Sequence, residues 1–331
     1  MVRLDFDPST SVIGPSIRLE TLAIAGAILF AMVFAALSAG WSRPVEDGSD
    51  AAAGAAAPKL RRDDLVLIAF GAVPGAVIGG RLDYVLVHLD YYSANPGAIA
   101  DPGQGGFGLT LAVVLGTLTA ITVALLLAAP VGRWLGVAAI PVLLGLGLGK
   151  LAMVLGGTGQ GSYSNGPVAT SYVGPGPWGS ANPSFPAVPS QAIEGGLDLA
   201  LAVLVLLLPF LLRLRVGPWR IAGQARLAPS RQWAFLTGGR RFLTVLGLWA
   251  LVRFAAAFTW RDAHVVGPWV AEQLILFMVA EVALVGSVAA GLFWRAPVGP
   301  VASVASLSRR VAPNAYPAGD PATWPPGPGG D

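Results

Sequence analysis

The sequence predicts an all-α polytopic membrane protein of about seven transmembrane helices, with a large external loop between the fourth and fifth. Three observations lead there. Of 331 residues, 54% are hydrophobic and only 12% charged, half the ~25% share of charge that a soluble domain carries. Several apolar stretches reach the ~20 residues that take a helix across a bilayer, and the mean hydropathy is +0.66. Lysines and arginines, finally, gather in alternate connectors. A soluble protein with buried helices would need a polar outer layer, which this sequence lacks.

The elements follow in order. Residues 1–16 form a polar lead. The apolar run 19–37 is too long for a signal peptide and has no small-residue cleavage site, so it reads as the first transmembrane helix. A loop over 40–63 has an Ala/Gly-rich centre and ends in Lys59, Arg61 and Arg62. Helices are then expected over 64–88, 108–129 and 135–155, with Arg133 in the turn between the last two. The loop 156–189 carries no charge and is rich in Gly, Ser, Asn and Pro. A fifth helix over 190–212 leads into a basic connector, 213–241; a sixth ends near Trp260 and a seventh covers 270–293. Residues 1–295 thus form a seven-helix transmembrane domain, and the Pro/Gly-rich tail 296–331 is expected to be disordered and cytoplasmic.

Orientation follows from the basic residues. With the N-terminus external and the C-terminus cytoplasmic, the inner connectors collect Arg43, Lys59, Arg61, Arg62, Arg133 and the arginines of 213–241, while the outer segments keep Arg3 and Arg261. Trp41, Trp134, Trp219, Trp260, Trp269 and Trp294 stand at segment ends, as interfacial anchors do. The chain has no cysteine, which excludes disulfides, thiolate nucleophiles and Cys-ligated metals of its own. With His88 and His264 the only histidines, a His-based zinc site is not expected, and no cofactor or nucleic-acid partner is implied.

Ionisable residues inside hydrocarbon are costly and by default mark a site. Arg18, Arg81, Lys150 and Arg253 fall in the outer halves of four expected helices, with Glu20, Asp83, Glu194 and Glu272 at similar depth. One reading is a positively charged cavity for an anionic ligand, since a guanidinium donates two parallel hydrogen bonds to a phosphate. The other is a set of ion pairs that fix helix packing, or arginines that snorkel to headgroups. Gly75-x-x-x-Gly79 and Gly145-x-x-x-Gly149 permit close helix approach nearby.

Several of these residues stand in motifs of a known family. Gly79-Gly80-Arg81-Leu82-Asp83-Tyr84 is similar to a Gly-Gly-Arg-x-x-Tyr motif, and Gly105-Gly106-Phe107-Gly108 to a glycine-rich opening of helix three. Phe6-Asp7-Pro8 and Ile13-Gly14-Pro15-Ser16-Ile17-Arg18 match a lead into helix one; Gly149-Lys150, Gly156-Gly157 and Gly161 match a fourth helix and its exit. Pro177-Trp178-Gly179, Pro189-Ser190-Gln191-Ala192-Ile193-Glu194, Arg253 and Glu272-Gln273-Leu274 complete the pattern. Over residues 5–293 the chain resembles the prolipoprotein diacylglyceryl transferases, seven-helix bacterial enzymes that move diacylglycerol from phosphatidylglycerol to a lipobox cysteine. The resemblance implies Lys150, Arg253 and Glu194 as catalytic residues, and Arg81, Arg18, Tyr84, Ser190, Gln191 and Gln273 as substrate-binding residues. It implies phosphatidylglycerol and a lipoprotein-precursor signal peptide as partners, in the bacterial cytoplasmic membrane.

The sequence also departs from that pattern. Lys150 stands where the family has arginine, and Met153 and Gly156 where it has asparagines. Val188 and Ala257 replace a histidine and a glutamate, Glu20 replaces a tyrosine, and the helix-three histidine is absent. In the implied reaction cations stabilise the departing glycerol phosphate and a base takes the thiol proton; Glu20, Asp83 and Glu194 are all open for the second task. A catalytically impaired relative that binds anionic lipid or lipoprotein precursor is therefore the alternative. A small-molecule transporter ranks third, since no internal repeat or paired broken helices are evident.

Overall fold

A computed structural model describes residues 1–6, 9–10, 17–41, 60–101, 106–174, 185–215 and 238–293. The motifs at 7–8, 13–16, 105 and 177–179, most of the connectors 40–63 and 213–241, and the tail 296–331 lie outside the described residues.

The chain is an all-α membrane protein. Its helices are α1 Leu19–Trp41, α2 Arg62–Val87, a short α3 Leu89–Ala94, α4 Thr110–Leu126, α5 Val131–Gly156, α6 Ser190–Arg215, α7 Gly238–Ala256 and α8 Ala271–Phe293. Six are long and apolar enough to cross a membrane. The seventh, α4, has 17 residues, fewer than the expected span of 108–129 but at the lower limit for crossing. Both its ends have local causes. Asp83 Oδ2 accepts a hydrogen bond from Leu111 N at 3.1 Å and so satisfies a first-turn donor. At the other end Ala128 takes a φ of 51°, Ala129 N bonds back to Ala124 O, and Pro130 follows.

The helices bury unusual faces. Phe70, Leu29 and Val282 are 70%, 62% and 74% exposed, which suits side chains whose outer solvent is lipid. Backbone groups meanwhile pair within each helix, as hydrocarbon demands. The core lies among α5, α6, α7 and α8, around Ile140, Leu143, Leu201, Val205, Trp249 and Leu276, and α1 packs along α5. α2 and α4 form a separate close pair. Gly75 and Gly79 make that pair possible, because a Cβ at either would run into the α4 backbone at Leu115 or Leu111. The second glycine pattern works differently. Gly149 has open space beside it, and α5 instead meets α6 at Gly147 and Gly195, where a Cβ on Gly195 would lie 2.8 Å from Gly147 O.

Antiparallel alternation collects the start of α1, α4, α6 and α8 and the finish of α2, α5 and α7 at one end of the bundle. Three two-stranded ribbons cover that end. β1 (Val2–Asp5) runs parallel to β4 (Thr170–Val173), with Val2 opposite Thr170 and Asp5 opposite Val173. β2 (Ser9–Thr10) pairs with β3 (Ile17–Arg18), and β5 (His264–Val266) with β6 (Trp269–Val270). Tyr172 anchors the first ribbon. It is fully buried, donates its hydroxyl to Val154 O at 2.5 Å and meets the Phe6 ring at 5.2 Å. Burial raises its pKa, so the hydroxyl stays a donor.

One expectation about tryptophan needs correction. Trp134 is no interfacial anchor but is 4% exposed inside the bundle, because the helix begins at Val131 and turns that face toward its neighbours. Trp260 and Trp269 are half-buried at the end where α7 and α8 meet. Trp219 and Trp294 lie outside the described residues, as does the side chain of Trp41.

Candidate functional site

Four charged side chains from four helices meet just below the ribbon-covered end. On α5, Lys150 Nζ lies 3.0 Å from Glu194 Oε2 of α6. The other oxygen of Glu194 receives Nη1 of Arg253, from the last turn of α7. Arg253 then gives Nη2 and Nε to Glu272 Oε1 of α8, at 2.7 and 3.2 Å. Thr110, the first residue of α4, donates its hydroxyl to the same oxygen at 2.8 Å. The face of the guanidinium is covered too, with its carbon 4.7 Å from the centre of the Trp260 ring. The order is cation, carboxylate, cation, carboxylate. Each charge is buried against an opposite one, which is the condition for keeping charge inside a low-dielectric interior.

The local sequence explains how these groups reach one another. α7 presents Ala250 and Ala256, with Ala257 just past its end, around Arg253, so its counter-ions must come from neighbouring helices. Ser190 opens α6 and exchanges a 2.6 Å hydrogen bond with Thr259, tying that helix to the end of α7. Gln273 bridges the same junction, accepting from Val270 N at 2.9 Å and donating to Phe254 O at 3.1 Å. Both residues, expected to bind substrate, thus hold backbone that carries Glu194, Arg253 and Glu272. Gln191 is 1% exposed, and its Oε1 has no hydrogen bond among the described residues.

A cavity of about 680 Å³ opens beside this cluster, between the α2–α4 pair and the helices α1 and α5. Its walls are almost wholly apolar, with Ile28, Ala76, Val113, Ile121 and Leu146 among them, and Lys150 is its charged lining residue. The expected cationic cavity is therefore an apolar one with a lysine at its end. Cations buried in the bundle have recruited carboxylates, and aliphatic side chains line the remaining space. Met153, where the resembling pattern has asparagine, is also in this wall.

The other sequence-predicted residues lie elsewhere at the same end. Arg81 reaches into a cradle of carbonyls, donating to Ala98 O at 2.6 Å, Ile99 O at 2.8 Å, Asp101 O at 2.9 Å and Gly106 O at 3.3 Å. Its carbon stands 5.3 Å from the Tyr92 ring centre. Tyr84 stacks on His88 at 4.2 Å. Arg18 is half-buried in β3. Glu20 is buried with its carboxyl against Gly156 at the end of α5, and Asp83 caps α4. The structure brings Lys150, Glu194 and Arg253 into one chain of contacts and gives Arg81 to the segment after α2.

Three residues escaped the sequence reading. Asp198 is fully buried on α6, one turn beyond Glu194, and neither of its carboxylate oxygens has a hydrogen bond among the described residues. Its i, i+4 spacing from Glu194 was the available signal. Thr110 carried none, because its role depends on the α4–α8 approach. His88 has Nδ1 2.9 Å from Tyr84 O; a carbonyl only accepts, so Nδ1 is the donor. Outside the spans, loss of hydration and then the charge of Glu272 raise the pKa of Asp262, opposed by His88 and Arg253.

The fold and the site define a polytopic membrane protein whose apolar cavity ends at a buried cluster of paired charges. The chain belongs to the prolipoprotein diacylglyceryl transferase family, whose model matches residues 11–288. A phosphatidylglycerol–prolipoprotein diacylglyceryl transferase of Geobacter sulfurreducens is 30% identical over 258 residues, covering 75% of this chain and 85% of that protein. One of the same name from Dehalococcoides mccartyi is 32% identical over 138 residues, covering 40% of this chain. That second match spans about half, 49%, of the relative's length. The protein is a multi-pass protein of the bacterial inner membrane.

Proposed function

We propose that this protein transfers diacylglycerol from phosphatidylglycerol to the cysteine thiol of a lipoprotein precursor. The observation that carries the reading is the position of Lys150, which lines the apolar cavity and is at the same time bonded to the Glu194–Arg253–Glu272 cluster. Acyl chains in the cavity place the lipid phosphate beside two cations. The thiol sulfur then forms a bond to the glycerol carbon; the carbon–oxygen bond to phosphate breaks, and its electron pair leaves with the glycerol phosphate. Lys150 and Arg253 stabilise that developing charge, a preorganised arrangement in which one lost donor costs about 10²–10³ in rate.

The thiol proton needs an acceptor. Both oxygens of Glu194 hold cations, Asp83 caps α4 and Glu20 packs on Gly156. Glu272 keeps Oε2 outside any hydrogen bond among the described residues and is its cluster's more exposed carboxylate, so we assign it this role. The charged end faces outward in this reading, with the N-terminus external and the C-terminus cytoplasmic, as the basic connectors require. Residues 1–295 form the transferase domain and 296–331 a cytoplasmic tail. Arg18, Arg81 and Tyr84 flank the headgroup side.

The alternative, a relative that binds lipid without transfer, is favoured by Met153 and Ala257 standing where the family pattern has polar groups. One experiment separates the two. Purified protein is incubated with labelled phosphatidylglycerol and a lipobox peptide, next to Arg253→Ala and Arg81→Ala variants. Lipidated peptide that falls at least 10²-fold in Arg253→Ala establishes the transferase. Arg253-dependent lipid binding without product establishes the binding relative. Neither response removes both.

A further inference from the structure

Arg253 presents two edges and both are occupied. Nη1 is held by Glu194, while Nε and Nη2 together face a single carboxylate oxygen, Glu272 Oε1. The Nε–Nη2 edge is the one that matches a phosphate with two parallel hydrogen bonds. An anionic lipid cannot use that edge while Glu272 remains on it. Glu194 is 1% exposed and anchored from both sides, by Lys150 and Arg253. Glu272 is 12% exposed at its side chain and sits in the first turn of its helix. Thr110 supplies a second partner for its oxygen, one that belongs to α4 and owes nothing to Arg253.

We propose that Glu272 is an exchangeable counter-ion: the lipid phosphate takes its place on the Nε–Nη2 edge of Arg253, and Thr110 retains the displaced carboxylate at the site. The empty site is thereby kept neutral and folded, with no buried cation left alone. A zwitterionic lipid also brings a phosphate, but its ammonium must be accommodated beside Lys150 and Arg253, so the exchange favours lipids of net negative charge. The carboxylate released from Arg253 is then free to accept a proton, which links arrival of the lipid to readiness for the thiol. This rests on the proposed function for the identity of the ligand and adds how the site admits it.

The exchange makes a prediction opposite to that for an ordinary binding residue. Replacing Glu272 by an isosteric neutral group removes the competitor and tightens binding. The protein is reconstituted in phosphatidylcholine nanodiscs with graded fractions of phosphatidylglycerol, and the apparent Kd for phosphatidylglycerol is measured for wild type, Glu272→Gln and Thr110→Val. Glu272→Gln is expected to bind about tenfold more tightly, equivalent to ~1.4 kcal/mol. Thr110→Val, which removes the partner that holds the displaced carboxylate and keeps the charge of Glu272, is expected to shift Kd in the opposite direction by a smaller factor. If turnover is present, Glu272→Gln lowers KM and kcat together, a split that a purely structural role does not give. Unchanged or weaker binding in a folded Glu272→Gln protein overturns the exchange; should that variant not fold, unchanged or tighter binding in Thr110→Val does so. A wild type with no preference for phosphatidylglycerol over phosphatidylcholine refutes the functional reading instead.

Discussion

Glu194 is the carboxylate on which the cluster depends, so Glu194→Gln is the sharpest test of its energetics. The substitution keeps shape and removes the one charge shared by Lys150, at 3.0 Å, and Arg253. At an effective dielectric constant of about 20, one unit pair at 4 Å is worth roughly 4 kcal/mol before desolvation. Breaking a buried pair by removing one partner costs about 3–5 kcal/mol, because a charge is left behind. Arg253 retains Glu272, which places the expected loss at the lower end, ~3 kcal/mol. The assay is a double-mutant cycle of Glu194→Gln and Lys150→Met, read by reversible unfolding of the detergent-purified protein. The double variant should be more stable than the sum of single losses implies, by about 1–3 kcal/mol. Additive losses, within ~0.5 kcal/mol, would show that Lys150 and Glu194 do not sense each other and would remove Lys150 from the cluster.

Two further outcomes concern topology and the covering loop. A reporter fused after Gly166 should read as external and one after Arg226 as cytoplasmic; both on one side would break the alternation of spans. Tyr172→Phe removes the bond to Val154 O and should cost about 1–3 kcal/mol of unfolding free energy, because the carbonyl loses its partner. A loss that small should leave the helices intact and be seen first as faster proteolysis of the 156–189 loop, and an unchanged cleavage rate would contradict the anchoring role.

Much of this protein could be read without coordinates, and the reason is the solvent. Hydrocarbon forces every span to satisfy its own backbone, so apolar length and turn residues suffice to determine where helices run; α2, α5, α6 and α8 lie within a few residues of expectation. The same cost of charge in lipid singled out Lys150, Glu194, Arg253 and Glu272 before any contact was known. Pairing is another matter. Nothing local to Arg253 told that its partners are Glu194 and Glu272, because those contacts join residues 59 and 19 positions away. Arg81 looked equivalent in sequence, yet its surroundings offered carbonyls and its guanidinium went to them. The start of α4 followed from Asp83 reaching its first turn, and the seating of α5 on α6 from Gly147 meeting Gly195. Sequence by itself determined that this chain spans a membrane and which side chains had to find partners there. Tertiary structure decided which partners they found, because a buried charge is neutralised by whatever the neighbouring helices bring within reach, and that depends on how backbones cross.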